Sequence, residues 1–195
     1  MIIEITPVIL AGGYGSRMGY IDKGLISFRG KAQYVYIYEW LLNHFSKVIL
    51  SIRESQKEKF EVLPEMSVVY DRYEDCGPLG GILSCLEYTH KPILAISCDL
   101  VHIEYETLQK LLTERNVESC GTVFLDLKGG YLQPLWALYE NNSIPVLQEA
   151  IRSGDYSLHR IIRKSDFKIV ETNESQWFKN LNIPEDIKPF QEFPD

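Results

Sequence analysis

What most constrains this chain is its rhythm: short apolar runs alternate with longer stretches patterned for helices. Ile5–Leu10 is an apolar run that stops at Gly12-Gly13, as a strand buried on both faces would. Further strands are predicted at Lys47–Ile52, Ser67–Tyr70 and Pro92–Ser97. Gln33–Phe45 places Tyr34, Ile37, Tyr38, Leu41, Leu42 and Phe45 at helical spacing; Gln56–Glu61 reads as a short helix, and Leu79–Tyr88 as one that starts just after Pro78. Beyond Ser97 come a helix at Glu104–Glu114, strands at Ser119–Leu125 and Tyr131–Tyr139 around the turn Lys128-Gly129-Gly130, helices at Ser143–Arg152 and Leu158–Lys164, and a last strand at Phe167–Glu171. Such alternation means a three-layer α/β/α fold with a mostly parallel, Rossmann-like sheet. Ligands of such sheets sit at the carboxyl ends of the strands. The loops to inspect therefore follow Leu10, Ile52, Tyr70 and Ser97.

A length of 195 residues suits one domain, and no linker, repeat or low-complexity tract divides it. The net charge of −7 speaks against nucleic acid as partner and leaves room for a small phosphorylated ligand on a local patch. No stretch reaches the roughly 18 apolar residues of a membrane-spanning helix. The N-terminus shows neither a basic leader nor a small-residue cleavage site. Cys76, Cys85, Cys98 and Cys120 have no CxxC spacing, so reduced thiols in a cytoplasmic protein are expected. His44, His90, His102 and His159 are scattered and read as surface or packing residues. The Gln56-Lys57-Glu58-Lys59 run reads as a solvated helix face, and Trp40 with Tyr36–Tyr38 as core or interface.

The loop after the first strand carries the chemistry. Gly12, Gly13, Gly15 and Gly19 fall within eight positions, and Arg17 and Lys23 follow among and after them. Glycines let backbone N–H groups approach a ligand and form a concave anion site. Arg17 adds a planar donor fork and Lys23 a mobile point charge, so the segment reads as a triphosphate clamp. Gly13, Gly15 and Gly19 also give GxGxxxG, a partial match to a dinucleotide loop. That reading lacks its context: the loop runs on to Gly30-Lys31, and no acidic residue ends the second strand at Ser51-Ile52-Arg53. Asp71, at the end of the third strand, can accept hydrogen bonds from a guanine ring or a ribose hydroxyl. Gly77-Pro78 sets a tight turn into a helix, and Gly80 and Gly81 would leave the helix N-terminus open to a bound group. Ordinary turn and cap chemistry accounts for these residues equally well. Asp99 ends a buried strand, a place suited to Mg²⁺ held by one carboxylate and substrate phosphates.

Read from Leu10 to Leu25, the chain resembles LAGGxxxRMGxxDKGL, the signature of the molybdenum cofactor guanylyltransferases within the nucleotidyltransferase superfamily. Asp71 with Gly77-Pro78-Leu79-Gly80-Gly81-Ile82 resembles the family's D…GPLxGI, and Cys98-Asp99 its CD pair. Leu132–Tyr139 resembles the strand that reaches the acceptor pocket, and Asn180–Asp186 the C-terminal N-x-N-T-P-E-D/E run. Tyr20, Val101 and Ile183 depart from the family's glycine, proline and threonine. Related cytidylyltransferases read LAAG at the loop; sugar-phosphate nucleotidyltransferases also read LAGG, with a GTR run, and the Asp22-Lys23-Gly24-Leu25 segment separates this chain from them.

The resemblance implies the nucleotide-diphospho-sugar transferase fold in a single domain over residues 1–195, its N-terminal part binding GTP and its C-terminal part the acceptor. It implies transfer of GMP from GTP to the terminal phosphate of Mo-molybdopterin, with release of pyrophosphate. Asp99 would hold Mg²⁺, while Lys23 and Arg17 would offset phosphate charge. Backbone at Leu10, Ala11 and Gly12 would face the base and ribose, and Gly13, Gly15, Ser51, Asp71, Gly77 and Pro78 would complete the nucleotide site. Asn182 would contact the metal or acceptor phosphate, or else simply cap the last helix. GTP and Mo-molybdopterin are the expected partners, with no nucleic acid and no membrane, for a monomer or weak homo-oligomer. Alternatives are a cytidylyltransferase or sugar-phosphate nucleotidyltransferase on the same fold, and a non-catalytic nucleotide-binding regulator. Retention of both Lys23 and Asp99 speaks against the regulator.

Overall fold

The computed structural model describes residues 5–13, 22–28 and 30–180. Seven strands form one sheet: β1 (Thr6–Leu10), β4 (Val48–Ile52), β5 (Met66–Tyr70), β6 (Ile93–Ser97), β7 (Gly121–Asp126), β8 (Tyr131–Tyr139) and β9 (Phe167–Thr172). Their order across the sheet is β5-β4-β1-β6-β8-β7-β9. A separate pair, β2 (Ser27–Phe28) and β3 (Lys31–Ala32), is antiparallel. Within the sheet β8 alone runs against its neighbours β6 and β7; β1, β4, β5 and β6 are parallel, as are β7 and β9. The reversal at β8 follows from the short turn around Gly130, because antiparallel strands can be joined by a few residues whereas parallel ones need a crossover.

Strand alternation sorts the core into two layers. Ile9, Leu50, Leu94 and Ile96 face one side, where they meet Tyr34, Ile37, Tyr38 and Leu41 of α1 (Gln33–Leu42) and Leu108 and Leu111 of α3 (Tyr105–Thr113). Val8, Leu10, Ile49 and Ala95 face the other. They pack on Leu79, Ile82, Leu83 and Leu86 of α2 (Pro78–Thr89), with α4 (Ile144–Ser153) and α5 (Leu158–Lys164) beside it. Strands covered on both faces have no polar face, which is why β4 and β6 are buried along their whole length. Trp40 joins the core layer through an edge-to-face contact with Trp136. No helix among the described residues is long and apolar enough to cross a membrane.

One expected element differs. The helix read at Gln56–Glu61 is only a 3-10 turn, Glu54–Gln56, followed by irregular turns. Of its polar run Lys57, Glu58 and Lys59 are exposed as expected, but Gln56 points inward and is buried, as is the following Phe60. An inward polar side chain that finds its hydrogen bonds inside leaves no helical periodicity for the run to express. The predicted helix from Gln33 also stops early, at Leu42.

The strand order places the site. From β1 the chain goes outward to β4 and β5, then returns to lay β6 on the other side of β1. The connections therefore diverge at the carboxyl end of β1, and a crevice opens where they part.

Candidate active site

A cavity of about 650 Å³ opens at this carboxyl edge, within the size range of small-molecule sites. Its walls come from the turns after β1 (Gly12, Gly13), β4 (Arg53), β5 (Asp71, Tyr73) and β6 (Cys98, Asp99), with Lys23, Pro78 and Leu135 closing it. Of the residues singled out in the sequence, Leu10, Gly12, Gly13, Lys23, Ser51, Asp71, Gly77, Pro78 and Asp99 all line it. Ala11 is buried instead, its N–H donating to the Ser51 carbonyl at 2.8 Å. Gly15, Arg17 and Asn182 lie outside the described residues.

At one end of the cavity Lys23 Nζ donates to Asp99 Oδ2 at 2.8 Å. Ser97 Oγ donates to the other oxygen, Oδ1, at 2.6 Å. The turn that presents Asp99 is pinned by Cys98 N–H on the Leu10 carbonyl (3.1 Å) and Leu100 N–H on Ser97 (3.3 Å). Val101, which departs from the family's proline, donates its N–H to the Lys179 carbonyl at 3.1 Å, a bond a proline could not make. The substitution thus ties the Asp99 loop to the segment that continues toward Asn182. Burial pushes the Cys98 thiol up, so it is an inert neighbour of Asp99.

Asp71 has different surroundings. Its Oδ1 accepts from Ser51 Oγ at 2.6 Å, and its N–H donates to the Ile52 carbonyl at 2.9 Å. Burial pushes its carboxyl above the usual carboxylate range, against the pull of the Ser51 hydrogen bond and the Arg53 charge. Two glycines make room for it. A Cβ on Gly12 would meet Asp71 Oδ2 at 2.6 Å, and one on Gly81 would meet Ser51 Oγ at 2.7 Å. A third, Gly77, has φ 59° and ψ −147°, a conformation open to glycine alone, and delivers Pro78 as the first residue of α2. The helix glycines therefore serve packing: Gly81 sits against the Ser51–Asp71 pair, and Gly80 would press a Cβ to 2.5 Å from the Tyr73 carbonyl. Both are buried, so the expectation that they open the helix end to a ligand is replaced by one of close approach.

Sequence reasoning missed a second carboxylate cluster just behind Lys23. Asp22 is buried and receives Gln56 Nε2 (2.7 Å), Lys59 Nζ (2.7 Å) and Arg53 Nη2 (3.5 Å). Burial alone would raise its pKa, but the hydrogen bonds from Lys59 and Gln56 and the charges of Lys59 and Arg53 hold it below the usual range. Nothing local in the polar run from Gln56 to Lys59 announces a partner more than thirty positions earlier in the chain. Among the described residues no group of three or more His, Cys, Asp and Glu gathers to hold a metal.

The family model for the MobA-like NTP transferase domain matches residues 7–170. A molybdenum cofactor biosynthesis bifunctional protein of Synechocystis sp. is 29% identical over 188 residues, covering 94% of this chain and 54% of that protein. The chain thus spans about half the length of that relative. A probable molybdenum cofactor guanylyltransferase of Flavobacterium johnsoniae is 30% identical over 185 residues, covering 92% of this chain and 91% of its own. In the solved structure of molybdopterin-guanine dinucleotide biosynthesis protein A from Archaeoglobus fulgidus the fold recurs with a TM-score of 0.75 at 20% identity, over 96% of this chain and 97% of that one.

Proposed function

The chain belongs to the MobA-like NTP transferase family, and from that premise we propose that it transfers GMP from GTP to the terminal phosphate of Mo-molybdopterin, forming the guanine dinucleotide and releasing pyrophosphate. The observation that carries the reading is the cavity's two unlike ends: a lysine–carboxylate pair at Lys23 and Asp99, and a half-buried, hydroxyl-bonded carboxylate at Asp71. Phosphates belong at the first and a donor-rich base at the second. Guanine offers adjacent N1–H and N2–H donors, the pattern a carboxylate accepts with both oxygens. Backbone at Leu10 and Gly12 and the Ser51 hydroxyl border the same end.

Nucleotidyltransferases of this kind generally use a divalent metal. Asp99 fits Mg²⁺: it is buried at a strand end, and its Oδ2 already carries a cation, the Lys23 ammonium. One carboxylate plus substrate phosphates is a donor set that Mg²⁺ accepts. When bound, the ion would neutralise charge on the phosphates. Lys23 would then stand against the same charge from the protein side, and Arg17 would join it. Asn182 would contact the metal or the acceptor phosphate. A phosphate monoester is already a nucleophile near pH 7, so no strong general base is needed, and the chain's contribution is positioning and charge.

The test is calorimetric titration with GTP, ATP and CTP in Mg²⁺, on wild type and Asp99→Ala, followed by turnover of Lys23→Ala. GTP should bind tightest, and Asp99→Ala should weaken it and abolish turnover. Lys23→Ala should lower kcat on the order of 100-fold or more. Preference for CTP would move the chain to the cytidylyltransferases. No triphosphate binding would sink the reading altogether.

A further inference from the structure

Gln56 is 1% exposed, and both N–H donors and the oxygen of its amide are hydrogen-bonded. Its nitrogen donates to the Ala11 carbonyl at 3.2 Å and to Asp22 Oδ1 at 2.7 Å; its oxygen accepts from Arg53 N–H at 2.9 Å. A side-chain amide has two N–H donors, and both are spent on the two segments that flank the glycine run in sequence. Ala11 ends the approach from β1, and Asp22 immediately precedes Lys23. Lys59 holds the second oxygen of Asp22 at 2.7 Å, and the Asp22 carbonyl accepts from Leu25 N–H at 2.9 Å. Gly24, which follows Lys23, is wedged in the same place: a Cβ there would meet Phe60 Cε1 at 3.1 Å and Ala11 Cβ at 3.4 Å. The short segment Gln56–Phe60 thus braces the 3-10 turn Lys23–Leu25 from behind while presenting nothing to the cavity.

We propose that Gln56, acting through Asp22, is a positioning residue for phosphoryl transfer: it sets the height of Lys23 relative to the end of β1. The inference rests on the transferase reading of the cavity. Its physical ground is tolerance. Lys23 reaches Asp99 at 2.8 Å from a turn only three residues long, and a shift of about 1 Å at a positioning group can cut a rate on the order of 100-fold. An apolar residue would fill the space of Gln56, but it would leave the register between Ala11 and Asp22 unset.

Gln56→Leu keeps the volume and deletes the amide. Provided circular dichroism shows it folded, kcat for guanylyl transfer should fall about 10- to 100-fold, while KM for GTP changes less than about threefold, because Asp71 and Ser51 are left in place. A variant that merely loosened the fold would not split the two constants. A second readout needs no nucleotide. The rate at which an acetylating N-hydroxysuccinimide ester modifies Lys23, followed by peptide mass spectrometry, should rise severalfold, with exposed Lys57 unchanged. Should Gln56→Leu fail to fold, Gln56→Glu replaces it. It sets a carboxylate against both Asp22 and the Ala11 carbonyl, so it should lower kcat at least as much and raise Lys23 acetylation, with KM for GTP again little changed. Unchanged kcat and unchanged Lys23 acetylation in a folded Gln56→Leu, or in Gln56→Glu where that replaces it, would overturn the proposal. A wild type that binds no GTP would instead fail the transferase reading, and Lys23 acetylation would still decide the brace.

Discussion

Gly81→Ala separates stability from ligand geometry, because the methyl it adds touches no ligand. Gly81 lies within α2, outside the cavity lining. Its added Cβ would sit 2.7 Å from Ser51 Oγ, 3.1 Å from Asp71 Oδ1 and 3.2 Å from Leu10 Cδ2. Alanine in a helix interior is favoured over glycine by roughly 0.8–1 kcal/mol. Relief of the 2.7 Å contact requires Ser51 Oγ to turn away from Asp71 and give up their 2.6 Å hydrogen bond. A hydrogen bond to a charged group contributes about 1.5–3 kcal/mol. The second effect wins, leaving a net loss of about 0.5–2 kcal/mol, or about 1–8 °C in Tm for a chain of this size. With Asp71 no longer oriented, GTP affinity should fall roughly tenfold, which is about 1.4 kcal/mol. Thermal unfolding by circular dichroism and calorimetric titration with GTP read the two effects separately. A Tm above wild type together with undiminished GTP affinity would refute the reasoning: the cavity floor would yield without resistance, and the Ser51–Asp71 pair would not set the site.

Two other substitutions probe opposite edges of the sheet. Asp71 has a folded pKa raised above its unfolded value, so its charged form subtracts stability at pH values above the folded pKa, and the penalty fades as pH falls through that pKa. Asp71→Asn should therefore raise the Tm of the ligand-free protein at pH 7–8, with the gain vanishing in the acid range, while GTP affinity drops; a lower Tm at neutral pH would contradict the assignment. At the other edge, Arg115 grips Glu140 through Nε on Oε1 at 2.6 Å and Nη2 on Oε2 at 2.9 Å, with the glutamate side chain 3% exposed. Glu140→Ala removes the carboxylate that balances a mostly buried guanidinium and should destabilise by about 3–5 kcal/mol. Glu140 follows the end of β8 that pairs with the start of β6, so GTP affinity of the folded fraction should be unchanged, and a large affinity loss would show the two edges to be coupled.

The strands were legible because burial on both faces leaves a signal no polar neighbour can blur. β1, β4 and β6 read as apolar runs, and each ends at the residue the run itself announces: Leu10, Ile52 and Ser97. The antiparallel β8 was legible for another reason, since the turn before it is too short for a crossover. At the site, Lys23 stood out because it accompanies a glycine run after the first strand, whereas Asp71 and Asp99 at strand ends also suit ordinary turns and were singled out by the motifs around them. Gly80 and Gly81 were read in the right place with the wrong purpose. Sequence shows that a side chain is missing, and only packing shows whether a ligand or a neighbouring hydroxyl occupies the space.

Gln56 was illegible for the converse reason. A polar residue in a run of lysines and glutamates has a sufficient local explanation, and its actual partners, Ala11 and Asp22, lie 45 and 34 positions earlier. The same asymmetry bears on base selection. Asp99 meets a protein cation, so its charge is already answered before any ligand arrives. Asp71 meets a hydroxyl and a more distant guanidinium, and burial holds its pKa high. A ligand that brought N–H donors to Asp71 would relieve that burial penalty, and the relief would appear as affinity. Guanine presents two such donors side by side, whereas the edge of cytosine that pairs presents a donor next to an acceptor, which would meet the second carboxylate oxygen unfavourably. On the proposed reading, base selection at this end would draw on that penalty, and Gly12 and Gly81 must stay free of side chains so that the carboxylate keeps its place.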